Sequence, residues 1–411
     1  MTEHRDRDLG AALRGLDVPE HRPEFAAELE RRLRHRRIRP RVWALAAAAA
    51  LAAIATAVAV LAFPGESNVA SAAEVREAVS DGMGSAGSVS GVFVNREEAN
   101  AENRWRFVVD ESGSFRIEGL GPNNPTVLAY DSKSNVETWS DLGIFTRRTG
   151  LAPGIPDSAP ASWVVQRGLG AVVAALLAAP DAAVEEITYS GRAAWRLRAP
   201  TGNAGEQQLI TVDRETGIPV RDERLRNGRF AGEWRIDDLQ VSSAGATGVF
   251  RLRPKAGRQQ KTYDMGFRRV RPAEVEGAAG YEPLLPTWVP DGYRLTEVAV
   301  ASSSRPTGSE QRQNPESRKV VSLRYDRGLD QLVVTTRRTG SDPSRWADPV
   351  TGSSLQVRQP DGVSLAGHQG RLVIDPNSVP HVWAIAGPLV VTIAGNLSGA
   401  ELRRIAASIQ R

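Results

Sequence analysis

Residues 208–221, with the sequence QLITVDRETGIPVR, place a turn signal between two stretches of alternating character. Alternation of apolar and polar residues is typical of a half-buried strand, and the four residues Arg214–Gly217 are of the kind that reverse the chain. The pattern predicts a β-hairpin with strands at Gln207–Asp213 and Ile218–Leu225. The fold is therefore expected to contain antiparallel sheet at this point.

Period-two patterns continue on both sides of this hairpin. Asn227-Gly228, a strong hairpin signal, follows it directly. The further predicted strands are Arg104–Asp110, Phe115–Glu118, Thr126–Tyr130, Val136–Trp139, Glu186–Tyr189, Ala193–Ala199 and Arg229–Val241. Helices are predicted at Ala72–Val79 and Trp163–Ala179, and Gly82–Gly91 is interpreted as a Gly/Ser-rich connector. Residues 70–253 thus predict a helix, a long antiparallel meander and a covering helix.

A second folded unit is predicted at residues 282–411, after a linker at residues 254–281 without clear period. Its predicted strands are Val320–Tyr325, Gln331–Arg337, Leu355–Arg358, Arg371–Ile374, Val382–Ala386 and Leu389–Ala394. Ser398 and Glu401 have the spacing of a capping box and predict the start of a C-terminal helix. This unit is expected to be a small α+β domain.

One uncharged apolar run, Val42–Phe63, predicts a transmembrane helix. Its 22 residues would extend about 33 Å, enough for a hydrocarbon core of about 30 Å. Arginines crowd the preceding residues 31–41, so the positive-inside rule predicts a cytoplasmic N-terminus and extracytoplasmic residues 64–411 in a cell membrane. A signal peptide cleaved near Ala72 is the alternative, against which the length of the run argues.

Charge and cysteine content exclude several classes of protein. Residues 1–41 carry eleven arginines and eight acidic residues, a net charge of +3, which leaves +1 for the rest of the chain. Such a balance does not predict nucleic-acid binding, and the basic tail is interpreted as a topology signal. There is no cysteine, so disulfides, thiolate nucleophiles and cysteine zinc sites are excluded.

The motifs of common active sites are missing from the sequence. It contains no nucleophile elbow, phosphate-binding loop or zinc-protease motif. His368 and His381 have no second ligand at metal spacing, and the adjacent carboxylates Asp237 and Asp238 should point to opposite faces of a strand. We therefore expect neither an enzyme nor a metal or cofactor.

Aromatic residues are concentrated in the predicted first domain, where alternation puts many of them on one sheet face. They are Trp105, Phe107, Phe115, Tyr130, Trp139, Trp195 and Trp234. Such a face either packs on a helix or lines a cavity for an apolar ligand, and the sequence leaves both readings open. These seven residues are the predicted ligand-binding site.

Two stretches resemble known bacterial modules. Gln208–Arg221 resembles the hairpin of lipoprotein-carrier-like domains, the group of LolA and of the N-terminal domain of RseB-like sigma-factor regulators, and Arg104–Glu118 and Val127–Trp139 follow the same strand order. Pro286–Leu295 is similar to the opening of C-terminal domains in anti-sigma-associated membrane proteins. The first resemblance implies an antiparallel half-barrel wrapped on helices, with a concave lipid-binding face.

Together these features predict an α+β protein with one transmembrane helix, a LolA-like half-barrel and a second small α+β domain. The expected function is non-enzymatic binding of a lipid, an acylated peptide or a partner protein, such as an anti-sigma or envelope protein, in envelope sensing or sigma-factor regulation. The alternatives are a lipid or lipoprotein transport factor and a purely structural interaction module.

Overall fold

Antiparallel sheet dominates the part of the chain that the structure describes. The computed structural model describes residues 70–410, with gaps at residues 99–100, 122–125, 142, 154–168, 180, 202–203, 247, 302–318, 340–347, 351–360 and 376–377. A small number of short helices pack on the sheets, and the predicted α+β class is confirmed. The predicted half-barrel curvature stays a prediction.

The first sheet has twelve strands among the described residues. In chain order they are β1 (Ser88–Glu97), β2 (Asn103–Asp110), β3 (Phe115–Gly119), β4 (Val127–Asp131), β5 (Val136–Asp141), β6 (Ile144–Thr149), β7 (Ala183–Tyr189), β8 (Arg192–Pro200), β9 (Glu206–Asp213), β10 (Pro219–Arg226), β11 (Arg229–Ser242) and β12 (Gln259–Asp264). Their spatial order is β12-β6-β5-β4-β3-β2-β1-β11-β10-β9-β8-β7. β12 runs parallel to β6, and the other neighbours are antiparallel. The hairpin predicted from residues 208–221 is confirmed as β9 and β10.

Two helices pack their apolar residues against one face of this sheet. They are α1 (Ala72–Ser85) and α2 (Ala171–Ala178), the described part of the predicted helix Trp163–Ala179. Ser71 and Glu74 close a capping box at the start of α1, which satisfies main-chain donors there. Val75, Val79 and Met83 of α1 join the core of the first sheet.

The predicted connector Gly82–Gly91 is wrong, because it contains the end of α1 and the start of β1. Val89 and Phe93 alternate inward along β1, but Gly91 interrupts the apolar pattern between them. Gly91 lies at a β-bulge, where a Cβ would come within 2.9 Å of the carbonyl oxygen of Asp237. The bulge in β1 therefore requires a glycine at position 91, and the same glycine interrupts the apolar alternation that would have predicted the strand.

The second sheet has eight strands among the described residues. They are β13 (Phe267–Arg269), β15 (Arg294–Ala301), β16 (Val320–Arg327), β17 (Asp330–Arg338), β18 (Asp361–Leu365), β19 (His368–Val373), β20 (His381–Ala386) and β21 (Leu389–Gly395), in the spatial order β13-β15-β16-β17-β21-β20-β19-β18. A two-stranded pair joins β14 (Leu285–Pro286) to β22 (Ile409–Gln410).

The C-terminal helix packs on this second sheet as predicted. It is α4 (Gly399–Ser408), and Ser398 and Glu401 form the predicted capping box. Leu402, Ile405 and Ala406 are buried in the second core. The predicted strand Leu355–Arg358 lies outside the described residues.

Residues 254–281, predicted to be a linker, contribute to both sheets. They provide β12 to the first sheet and β13 to the second, followed by a 3₁₀ turn (Pro272–Glu274) and the short helix α3 (Val275–Ala279). All six residues of β12 are exposed, so no apolar alternation marks the strand in the sequence. Residues 69–411 form one compact unit.

The predicted membrane segment Val42–Phe63 and the basic tail, residues 1–41, lie outside the described residues. Within residues 70–410 as described, no helix has both the length and the apolar character that crossing a membrane requires.

Candidate functional site

All seven aromatic residues predicted to bind a ligand contribute to a single core, that of the first sheet. Phe107, Phe115, Tyr130 and Trp234 are buried, whereas Trp105, Trp139 and Trp195 are half-buried and pack against the same cluster. They lie on the sheet face that carries α1 and α2. The predicted single aromatic face is present, and its role in ligand binding stays a prediction.

The centre of this aromatic face is packed. Phe115 and Tyr130 lie side by side with ring centroids 5.7 Å apart, and both side chains are fully buried. The Tyr130 hydroxyl donates a hydrogen bond to Asn135 Oδ1 at 3.2 Å, and burial raises the pKa of Tyr130 to about 12. This part of the face therefore serves as an ordinary apolar core.

An aromatic ladder crosses strands β2, β1 and β11 on the same face. The ring of Phe93 lies 6.0 Å from that of Trp105 and 5.7 Å from that of Trp234, centroid to centroid. Offset aromatic pairs at this spacing contribute about 0.5–1.5 kcal/mol beyond their buried area. Phe93 belongs to the strand that the sequence analysis missed, and the alternation of Val89 with Phe93 was the signal for it.

Two indole N–H groups on this face are buried and have no hydrogen-bond partner among the described residues. They belong to Trp139 and Trp195, whereas the Trp234 indole interacts with the Asp222 carboxylate. Buried polar groups are almost always paired in folded proteins, because an unpaired one costs about 1–3 kcal/mol. A group of such donors on one sheet face is what a hydrogen-bonding ligand would use.

A buried acid lies beside the ladder. Asp222 of β10 faces the core because its cross-strand neighbours, Ile210 and Trp234, both do. Its Oδ2 accepts a hydrogen bond from Gln208 Nε2 at 2.9 Å, and the indole N–H of Trp234 interacts with the same carboxylate. Burial raises the pKa of Asp222 to about 6, because the charged form is poorly solvated there. The charged sequence of β10 gave no signal that this aspartate turns inward.

Two of the residues considered in the sequence, His381 and Asp237, have structural partners. His381 is fully buried, and its ring nitrogens lie 2.6 Å from the Val379 carbonyl oxygen and 2.8 Å from Asp348 Oδ2. The Asp237 carboxylate accepts hydrogen bonds from Arg104 of β2, across the sheet, and from Arg235 of its own strand. In the described part of the chain, no three His, Asp or Glu side chains are grouped closely enough to hold a metal ion.

The opposite, outer face of the first sheet carries a network of ion pairs over β10, β11 and β2. Arg221 lies 2.7 Å from Glu233, and Arg235 lies 3.1 Å from Glu102. These arginines therefore have carboxylate partners within the protein.

A segment between β11 and β12 crosses this outer face. The Ser88 hydroxyl donates to the Ala244 carbonyl at 2.9 Å, Arg116 Nη1 donates to the Val249 carbonyl at 3.4 Å, and Arg251 pairs with Asp131 at 2.6 Å. Two cavities lie between the segment and the sheet. One, of about 520 Å³, has Val92, Val108, Arg106 and Val249 among its lining residues, and the other, of about 340 Å³, lies nearer β12.

Comparison with known proteins gives matches among solved structures. No family model matches the chain, and no curated protein matches it. A crystal structure of MucB is 17% identical, with 82% of this chain and 97% of that chain covered and a TM-score of 0.30. The MucA/MucB complex of Pseudomonas aeruginosa gives 18% identity, 82% and 98% coverage and a TM-score of 0.27. A LolA superfamily protein from Nitrosomonas europaea gives 8% identity, 42% and 94% coverage and a TM-score of 0.21.

The solved structures to which the chain is similar thus include MucB and a LolA superfamily protein. What the chain binds is inferred below from its own residues.

Proposed function

We propose that the chain is a non-enzymatic, single-pass membrane protein that binds a ligand outside the cell membrane, in envelope sensing or sigma-factor regulation. Its N-terminus would lie in the cytoplasm and residues 64–411 outside. The ligand class that the geometry favours is a lipid or an acylated peptide. The observation that carries this proposal is the set of buried, unpartnered indole N–H groups on the aromatic face.

The mechanism we infer is burial of an acyl chain between the aromatic face and its covering helices. Each CH₂ group buried contributes about 0.8 kcal/mol, and the half-buried rings of Trp105, Trp139 and Trp195 offer the apolar contacts. An ester or amide carbonyl of the ligand would accept hydrogen bonds from the indole donors. Entry requires α1 or α2 to move, because Val79 and Val172 are buried against this face.

Photolabelling of the full chain tests this site. The chain would be held in phosphatidylcholine nanodiscs and irradiated with a diazirine-bearing palmitic acid, and labelled peptides would be mapped by mass spectrometry. We expect label near Trp105 and Trp139, lost in a Trp105→Asp/Trp139→Asp variant. Trp288→Asp, in the second unit, is the matched control and should keep the label. Absence of label, or label that persists in the double variant, would disprove acyl binding at this face.

A partner protein is the second candidate ligand, and the packed centre of the aromatic face favours it. Phe107, Phe115 and Tyr130 are fully buried, so these three rings offer no open surface. An anti-sigma or other envelope protein would then bind the outside of the unit. Cross-linking in native membranes, followed by identification of the captured protein, separates this candidate from the first: a protein adduct with no acyl label favours the partner.

A further inference from the structure

The segment that crosses the outer face of the first sheet is strongly basic. We call residues 249–263 the basic strap. It carries five cations and no acidic residue, in a chain whose part beyond residue 41 has a net charge of only +1. The five are Arg251, Arg253, Lys255, Arg258 and Lys261. The basic strap is therefore a local concentration of positive charge in a part of the chain that is otherwise nearly neutral.

Most of these cations lack a partner. Arg251 pairs with Asp131, but the other four form no ion pair with the residues that the structure describes. Arg258 Nη1 is buried without a hydrogen-bond partner in that part of the chain. By contrast, Arg221 and Arg235 on the same face of the sheet have carboxylate partners.

A cavity lies directly beneath the strap. It has a volume of about 340 Å³, at the lower end of the range for small-ligand sites of about 300–1,000 Å³. Arg147 of β6 faces Thr262 of β12 across the sheet, and in the next row Phe145 faces Gln260. Arg147 also has no ion pair with any described residue. The lining of the cavity includes the cations Arg147, Arg251 and Lys261 and one carboxylate, that of Asp131, which is paired with Arg251.

We propose that the basic strap and this cavity form a binding site for phosphate groups. Guanidinium groups match phosphate oxygens with two parallel hydrogen bonds, and ammonium groups add point charges. The phosphate could belong to an anionic lipid headgroup or to free phosphate. An anionic membrane surface attracts a basic segment by about 1 kcal/mol per Lys or Arg, which is about fivefold in affinity per residue.

The test uses the full chain in phosphatidylcholine nanodiscs. One arm measures flotation of these nanodiscs with vesicles of phosphatidylcholine, with or without phosphatidylglycerol. The other arm titrates inorganic phosphate by isothermal calorimetry. The test variant is Arg253→Gln/Lys255→Gln/Lys261→Gln, and the matched control is Arg229→Gln/Arg294→Gln/Lys319→Gln, which loses the same charge from exposed cations elsewhere. Arg147→Met probes the cavity separately.

We expect flotation only with vesicles that contain phosphatidylglycerol, and we expect it to weaken as salt is added. The affinity for these vesicles should fall roughly a hundredfold in the strap variant and stay unchanged in the control. Inorganic phosphate that binds in solution and is lost in Arg147→Met would support the same site with free phosphate as its source. If neither probe binds, or if the control variant loses binding as much as the strap variant, the proposal is wrong.

Discussion

Each of the two sheets contains an aspartate whose pKa burial raises to about 6, and the two are held in different ways. Asp222 in the first sheet and Asp330 in the second are both almost fully buried, and burial raises the pKa of each to about 6. Asp222 accepts from a neutral amide, Gln208, at 2.9 Å. Asp330 accepts from a cation, Arg327 Nη2, at 3.0 Å. The desolvation of Asp330 is offset mainly by the charge of Arg327, and that of Asp222 mainly by the Gln208 amide, with smaller contributions from Arg224 and Trp234.

The difference extends to what each acid positions. Arg327 Nη2 also donates to the Ser80 carbonyl at 3.0 Å and to its hydroxyl at 2.6 Å, so Asp330 orients a contact with α1. Next to it the Leu329 N–H donates to the Met83 carbonyl at 2.8 Å, and the Leu329 side chain enters the first core. Among the described residues, Asp222 does not orient a contact of this kind with a helix. We infer that Asp330 is structural and that Asp222 belongs to the candidate ligand site.

We expect the largest loss of stability from a substitution at Gly328, two residues before Asp330, where there is no room for a side chain. Gly328 has φ +54°, and a Cβ there would lie 2.5 Å from the Gly84 carbonyl oxygen. Gly328→Ala should lower the free energy of unfolding by about 3–5 kcal/mol, from the left-handed backbone and the overpacking together. Gly367 is the matched control, with φ +77° and no atom within 4 Å of its Cβ position. Urea unfolding should give a loss of about 1–2 kcal/mol in the free energy of unfolding for Gly367→Ala. Equal losses in the two variants would mean that the turn between β16 and β17 does not pack on α1.

Removing the acid itself should have the next largest effect. In Asp330→Leu, the partly buried Arg327 would keep no acidic partner, and breaking a buried pair from one side costs about 3 kcal/mol. We expect a urea midpoint at pH 7 that is lower by that amount. The double variant Asp330→Leu/Arg327→Met should recover part of the loss, because it removes the unpaired charge. A double variant less stable than the single one would contradict the pairing.

The contribution of Asp222 should instead be seen in the pH dependence of the free energy of unfolding. Its pKa is raised on folding from 3.8 to about 6, so the folded state holds the proton more tightly and stability falls as pH rises between those values. The shift corresponds to about 2–3 kcal/mol. Asp222→Asn should remove this fall, measured as the difference in urea midpoint between pH 4 and pH 7, and leave the share due to Asp330. Asp238→Asn, an exposed aspartate on β11, should leave the fall unchanged. A fall of the same size in Asp222→Asn would show that another group carries it.

Much of the fold follows from patterns that are local in sequence. The alternation and turns of residues 207–225 and 104–118 specify hairpins whose partners are neighbours along the chain. Ser398 and Glu401 specify a helix start over three residues. Contacts between residues that are distant in sequence leave no such pattern. The strand β12 is exposed along its whole length, and it pairs with β6, which lies more than a hundred residues earlier in the chain.

The candidate site was only half predictable for the same reason. Trp105 and Trp234 were found because alternation assigns them to a face, and Phe93 was missed because Gly91 broke the alternation around it. Nothing in the charged run of β10 distinguishes Asp222 from Glu223, since only the register with Ile210 and Trp234 turns Asp222 inward. The register of a sheet is a property of paired strands, so a single strand cannot reveal it.

The smallest change in stability is expected from a substitution of Gln208, the hydrogen-bond donor to Asp222. Gln208→Leu removes the one amide that donates to this carboxylate, so the pKa of Asp222 should rise further above its ordinary range. The loss of stability would then extend to higher pH, while stability near pH 4 would change by about 1 kcal/mol or less, because the protonated acid loses only one neutral hydrogen bond. Urea midpoints from pH 4 to pH 8 would show this shift, with Gln240→Leu on β11 as an exposed control. If the midpoint of the fall stays at about pH 6, Gln208 does not hold the carboxylate. If it moves upward, the Gln208 amide helps to keep Asp222 ionisable, and a ligand donor such as a main-chain N–H could take its place.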